Sequence, residues 1–111
     1  KEAADELARA AAVDANSPTI YFNWAVVLST LGENAQAVEK YERVIALDPK
    51  NLSAYFSCAA LLEKMGRLDA AAEKIEAAIK VDPSNTLLQE ILIKLRQAAQ
   101  KRATNSTSGK Q

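Results

Sequence analysis

Apolar residues recur along the chain at the three- and four-residue spacing of amphipathic helices, in blocks separated by short polar turns. The blocks predict helices over residues 1–14, 18–31, 35–47, 52–65, 69–81 and 86–101. The last block shows the stripe clearly, with Leu88, Ile91, Leu92, Leu95 and Ala99 on one face. The pattern therefore predicts an all-α chain.

Three polar residues mark helix starts. Ser17, Asn51 and Asn85 each follow an aspartate-containing turn and directly precede a helical apolar pattern, so we expect their side chains to cap free N–H groups. Pro18 then occupies a first helical position, where a missing N–H group costs nothing.

Glycine and proline mark the helix ends. Gly32 and Gly66 can adopt the left-handed conformation that closes a helix at its carboxyl end. Pro49 and Pro83 stop the second helix of each pair, because the residue before a proline avoids the helical region.

Two stretches of the chain repeat each other at a distance of 34 residues. The matched pairs are Gly32 and Gly66, Ala37 and Ala71, Asp48 and Asp82, Pro49 and Pro83, Tyr21 and Tyr55, Phe22 and Phe56, and Ile45 and Ile79. A period of this length, with a glycine between two helices, resembles the tetratricopeptide repeat. The resemblance implies an α-solenoid, a right-handed superhelix of antiparallel helix pairs.

This register predicts one domain over residues 1–101. Residues 18–51 and 52–85 are full repeats, 1–17 hold the second helix of a truncated repeat, 86–101 form a capping helix, and 102–111 are expected to be disordered. Because the truncated repeat lacks its first helix, we expect a chain cut from a longer array, with Leu7 and its apolar neighbours on an exposed edge.

Small residues are expected where the paired helices cross. Ala25 and Ala37 in the first full repeat correspond to Ala59 and Ala71 in the second. Ile93 stands at the matching position of the last helix, and this bulkier residue favours a terminal helix. The predicted core residues are Trp24, Leu28, Tyr41, Ile45, Leu61, Leu62, Ile75 and Ile79.

Composition limits the classes of function. At 111 residues with 49% apolar side chains, the chain can hold one modest core. Its 14 basic and 14 acidic residues cancel, so we expect no nucleic-acid partner. No apolar run approaches the roughly 20 residues that span a bilayer, and no signal segment opens the chain, so we expect no membrane insertion and a cytoplasmic location.

The chain offers little for catalysis or metal binding. Histidine is absent, and the single Cys58 lies among apolar residues and is expected to be a buried thiol. Glutamate pairs on the second helices stand beside lysine and arginine, as on a solvated surface. We therefore predict no catalytic residues, no metal, no cofactor and no enzyme activity.

The resemblance also implies a concave groove lined by the first helices of successive repeats, which holds a segment of another protein. By helical phase, the groove residues are Thr19, Phe22, Asn23, Val26, Thr30, Ser53, Phe56, Ser57, Ala60, Glu63, Leu87, Glu90 and Lys94. Most of them are apolar or small, which suits a peptide or amphipathic helix with apolar anchors.

Family members that capture acidic chaperone tails use a clamp of lysine, arginine and asparagine in this groove. Only Asn23 resembles part of that clamp, and Phe22, Val26 and Ser53 fill positions that would be cationic. Phe22 and Phe56 leave two interpretations open: they pack against the neighbouring repeat as core, or they form an aromatic pair for a partner side chain.

Three hypotheses of function follow. The first is an adaptor, scaffold or co-chaperone module that binds a protein segment in its groove. The second is self-association through the solenoid ends, including the amino-terminal edge. The third is the targeting segment of a larger enzyme.

Overall fold

The computed structural model describes residues 2–109, and within them the chain forms six α-helices. Their bounds are α1 Glu2–Val13, α2 Pro18–Thr30, α3 Asn34–Leu47, α4 Leu52–Lys64, α5 Leu68–Val81 and α6 Thr86–Gly109. In this part of the chain no helix is long and apolar enough to cross a membrane.

The predicted capping side chains start the first helix of each pair. The Ser17 hydroxyl accepts a hydrogen bond from the N–H of Ile20, and the Asn51 side chain accepts one from Ala54 at 3.1 Å. Asn85 starts α6 in the same way, with its Oδ1 accepting from the N–H of Leu88. Each cap satisfies a donor that the first helical turn leaves free.

Gly32 and Gly66 end α2 and α4 with φ angles of +83° and +81°. The N–H of Gly32 donates to the carbonyl of Ser29, and the N–H of Glu33 donates to that of Leu28. This hydrogen-bond pair is the Schellman motif, and the second hairpin repeats it after α4. The motif turns the chain back so that α3 and α5 run antiparallel to their partners.

Stacked hairpins build a flat solenoid of 54 × 34 × 16 Å, in which the main contacts join helices that are neighbours in the chain. The predicted alanines lie at the helix crossings: Ala25, Ala37 and Ala71 are completely buried and Ala59 is 3% exposed. Of the predicted core, Leu28, Tyr41, Leu61, Leu62 and Ile75 are buried, while Trp24, Ile45 and Ile79 are partly buried against it.

The amino-terminal helix α1 packs on α2 and leaves part of its surface open. Ala11 is buried and Leu7 is half-buried, whereas Val13 is 90% exposed. The apolar residues of α1 are thus only partly covered by the rest of the chain. Leu7 is less exposed than we expect from the sequence.

The last helix is longer than the sequence predicts. Residues 102–109 continue α6 instead of forming a disordered tail, and residues 110–111 lie outside the described part. The Arg102 guanidinium donates to the Gly66 carbonyl at 2.7 Å, which ties this extension to the turn between α4 and α5. Once a helix is nucleated, each added residue gains a backbone hydrogen bond, and no glycine or proline interrupts α6 before Gly109.

Candidate functional site

The predicted groove residues lie on α2, α4 and α6, the first helices of successive hairpins. The structure leaves most of them exposed: Thr19, Asn23, Val26, Thr30, Ser53, Phe56, Ala60, Glu63, Leu87, Glu90 and Lys94. Phe22 and Ser57 are half-buried. Because these positions recur at three- and four-residue spacing, those on each helix lie on one face of that helix.

Phe56 is the centre of the apolar surface between α4 and α6. Its side chain is 44% exposed, although it stands in the middle of a packed helix. On one side it lines a cavity of about 190 Å³, together with Ala59, Ala60, Glu63, Ile75, Ile91 and Leu95. On the other side it lines a cavity of about 260 Å³, together with Leu52, Ser53, Asn85, Leu87 and Leu88. One exposed ring therefore borders two apolar recesses.

Phe22 occupies the equivalent position of the first repeat and has different surroundings. Its ring meets the Tyr41 ring edge to face, with centroids 5.5 Å apart and an angle of 80° between the planes. This contact, which is favourable for aromatic pairs, packs Phe22 against the core. The remaining exposed part of Phe22 lines a cavity of about 320 Å³ beside Thr19, Asn23 and Asp48.

The difference between the two phenylalanines follows from their partners on the second helices. One period after Tyr41 the chain has Ile75, which lines the cavity beside Phe56. An isoleucine side chain is smaller than a tyrosine ring and does not fill that space. Phe22 is thus partly core, while Phe56 is the more available surface.

Two titratable side chains, Tyr41 and Cys58, are buried in the core, and burial is the main influence on the pKa of each. Burial raises the pKa of the Tyr41 phenol, while a hydrogen bond with the Ser57 side chain acts in the opposite direction. Burial also raises the pKa of the Cys58 thiol to about 11, against the weaker lowering effect of Lys74. Cys58 is thus protonated at neutral pH, which is unlike a reactive cysteine.

Charge is scarce on the first two groove helices, α2 and α4. The stretch that forms α2 contains no charged residue, and α4 contains only Glu63 and Lys64. Charged groove positions reappear on α6 as Glu90 and Lys94. Across the described residues there is no group of three or more histidine, cysteine, aspartate or glutamate side chains that could hold a metal ion.

Several residues of the two recesses were assigned by sequence reasoning only to the core or to the cap. Ile91 and Leu95 lie on the α6 stripe, and Ile75 was predicted as core, yet all three line the cavity beside Phe56. A signal was present in the sequence: Phe22 and Phe56 repeat one period apart, while Tyr41 is replaced by the smaller Ile75, and a smaller residue beside a repeated ring predicts a gap.

Profiles of known families match the centre of the chain. One, described as TPR repeat, matches residues 28–66, and another, described as tetratricopeptide repeat, matches residues 52–85. Together they cover residues 28–85, more than half of the chain. The chain belongs to the tetratricopeptide repeat family. Proteins of this family are generally interaction modules, and the match supports an interaction module in this tetratricopeptide repeat protein.

Solved structures share the fold. A crystal structure of MamA protein is similar, with a TM-score of 0.79 at 20% identity, over 96% of this chain and 58% of MamA. The first TPR of Spaghetti (RPAP3), bound to the HSP90 peptide SRMEEVD, has a TM-score of 0.73 at 23% identity, over 86% of this chain and 76% of that one.

A third similar structure is the Yersinia enterocolitica type III secretion chaperone SycD in complex with a peptide of the translocator YopD. Its TM-score is 0.76 at 14% identity, over 86% of this chain and 79% of SycD. At these identities the likeness is one of fold. The tetratricopeptide repeat protein spans little more than half the length of MamA, and no curated protein sequence matches it significantly.

Proposed function

We propose that this tetratricopeptide repeat protein is a non-catalytic adaptor or scaffold that binds an apolar segment of a partner protein in the groove formed by α2, α4 and α6. The observation that carries the proposal is the exposed Phe56 ring between two apolar recesses. An exposed aromatic side chain with a recess on each side can serve as an anchor for partner side chains.

The size and chemistry of the recesses support an apolar occupant. An apolar cavity of about 150 Å³ lined by leucine, isoleucine and phenylalanine is large enough to bind benzene. The recess of about 190 Å³ beside Phe56 has comparable walls, so it suits a leucine or phenylalanine side chain. Leu87, which is 56% exposed, extends the same apolar surface on the other side.

Two of the similar structures contain bound peptides, which supports a peptide or protein segment as the type of ligand. One is the Spaghetti domain with its HSP90 peptide, and the other is SycD with its YopD peptide. The groove residues of this chain are mostly uncharged, which favours apolar anchors over an acidic tail.

The experiment is a selection of phage-displayed random dodecapeptides on the immobilised protein, followed by fluorescence polarisation with the enriched peptides. Phe56→Ala should weaken binding by about 30-fold, as expected for a central aromatic anchor. Leu31→Ala is the matched control, because Leu31 is 47% exposed and lies outside the predicted groove.

Two outcomes would contradict the proposal. The first is a selection that enriches no peptide over the naive library, and the second is an equal affinity of wild type and Phe56→Ala for every enriched peptide. Circular dichroism of each variant checks that the helices are intact. Phe22→Ala should weaken binding less and reduce the thermal stability more, because Phe22 contacts Tyr41.

A further inference from the structure

The groove changes in polarity from its amino-terminal to its carboxyl-terminal end. Positions one period apart form columns along it, and the column of Phe22 and Phe56 continues with Glu90. The column of Val26 and Ala60 continues with Lys94. In these two columns charge therefore enters only on α6, while Glu63 and Lys64, which follows groove residue Thr30 by one period, bring charge to the end of α4.

The charged side chain that lines the recess beside Phe56 is a carboxylate. Glu63 itself lines the recess of about 190 Å³, beside Phe56 and Ile91, whereas Lys94 does not line it. Glu63 and Glu90 together with Lys94 give the predicted groove residues a net charge of −1.

Neither groove carboxylate forms a salt bridge within the described part of the chain. In the described part of the chain, the salt bridges join Lys74 to Glu42 and Arg96 to Glu76, and they leave Glu63 and Glu90 unpaired. A carboxylate on the wall of an apolar recess is attracted to a cation that arrives with the apolar ligand, and it repels an acidic one.

We propose that the partner segment carries a lysine or arginine next to its apolar anchor, with the anchor in the recess beside Phe56 and the cation at Glu63. This inference rests on the proposed function and specifies its ligand. Glu90, at the end of the phenylalanine column, offers a second carboxylate to a neighbouring basic residue. The same charges select against acidic segments.

The test repeats the dodecapeptide selection on three forms of the protein: wild type, the neutral variant Glu63→Gln/Glu90→Gln, and the reversed variant Glu63→Lys/Glu90→Lys. Wild type should enrich lysine or arginine within a few positions of an apolar anchor. The neutral variant should lose this enrichment and keep the anchor, and the reversed variant should enrich aspartate or glutamate instead.

Affinities then measure the preference directly. In the peptide most enriched on wild type, a lysine-to-glutamine change should weaken binding by about 2- to 5-fold, the range expected of a solvent-accessible ion pair. The loss should shrink at high ionic strength, since salt screens exposed charges. On the neutral variant the two peptides should bind equally.

The outcomes separate this inference from the proposed function. Enriched peptides that depend on Phe56 but show no basic preference on wild type would overturn the inference and leave groove binding intact. An acidic preference on wild type would overturn it as well. A selection that yields no peptide dependent on Phe56 would overturn both.

Discussion

At the scale of single residues, the contrast between Tyr41 and Ile75 decides the character of the groove. The two residues are one period apart and are both buried, so they have equivalent places in their repeats. Tyr41 packs its ring against Phe22, while Ile75 borders a recess beside Phe56. A difference of one side chain thus separates a filled position from an open one.

Ile75→Tyr should transfer the arrangement of the first repeat to the second. The added ring is expected to fill the recess beside Phe56 and to reduce the affinity for peptides enriched in the dodecapeptide selection. Overpacking would also lower the free energy of unfolding by about 1–3 kcal/mol, measured by urea denaturation. Ile75→Val is the control that keeps the recess open, and equal peptide affinity of Ile75→Tyr and wild type would contradict the prediction.

The buried thiol of Cys58 should make the folded protein less stable at alkaline pH. Its thiol pKa is about 11 in the folded protein and 9.0 when unperturbed, so between these values the unfolded chain releases a proton that the folded chain retains. The free energy of unfolding should therefore fall above pH 9, by up to about 1.4 kcal/mol per pH unit from this group. Below pH 9 the thiol should contribute no slope.

The measurement compares urea denaturation at pH 8 and pH 10.5 for wild type and Cys58→Ala. Tyrosine and lysine titrate in both proteins, so only the difference in slope reports on the thiol. An identical pH dependence in the two proteins would be inconsistent with a protonated, buried Cys58.

At the scale of secondary-structure elements, the turns between paired helices depend on two glycines in the left-handed region. Gly32 and Gly66 each carry a Schellman motif that satisfies the free carbonyls at a helix end. The two sites differ in their surroundings. A side-chain β-carbon at Gly32 would meet nothing within 4 Å, whereas one at Gly66 would lie 3.5 Å from the Arg102 guanidinium.

Gly32→Ala should lower the free energy of unfolding by about 1–2 kcal/mol, since the left-handed conformation is costly for a residue with a β-carbon. Because the site is sterically open, the loss should come from the backbone alone. Gly32→Asn is the matched variant, and it should lose less because asparagine tolerates this conformation better. Thermal denaturation that ranks alanine above asparagine would contradict this account.

The extension of α6 gives a second prediction at this scale. Arg102 donates a hydrogen bond to the Gly66 carbonyl, at the carboxyl end of α4 where a cation is favourable. Arg102→Ala should lower the thermal stability slightly, by no more than about 1 kcal/mol because the site is exposed. It should also speed hydrogen exchange in residues 102–105, while Lys101→Ala, next to it and also exposed, should have a smaller effect. Equal effects of the two variants would argue against an anchoring contact.

At the scale of the whole molecule, the solenoid is held together by contacts between successive helices. Each helix is therefore stabilised mainly by its immediate neighbours, as in other repeat proteins. One salt bridge follows the same rule, since Arg96 joins α6 to Glu76 on α5. The other, from Lys74 to Glu42 at 3.1 Å, joins the second helices of adjacent repeats, α5 and α3. Stability should consequently vary along the stack.

Native-state hydrogen exchange is expected to show the slowest amides in α3 and α4 and the fastest in α1 and in residues 102–105 of α6. The centre of the stack contains the completely buried residues Ala37, Val44, Ala54 and Cys58. Local opening at an end breaks one interface, while opening at the centre breaks two. Uniform protection of all helices, measured by mass spectrometry or NMR, would indicate a single cooperative unit instead.

The sequence alone determined the helices, their caps and their order. Ser17, Asn51 and Gly32 act on the backbone within a few residues of themselves, so local chemistry sets each boundary. The 34-residue period adds the stacking, because residues that recur in register pack against equivalent neighbours.

Only the tertiary structure decided which side chains remain available. Phe22 and Phe56 are equivalent in register, yet one packs on Tyr41 and the other stands between two recesses. It also placed Arg102, on the extended part of α6, in a hydrogen bond with the carbonyl of Gly66, 36 positions earlier in the chain. Exposure and long-range contacts depend on the volumes of side chains from different helices, and periodicity places those side chains together without showing how well they fill the space between them.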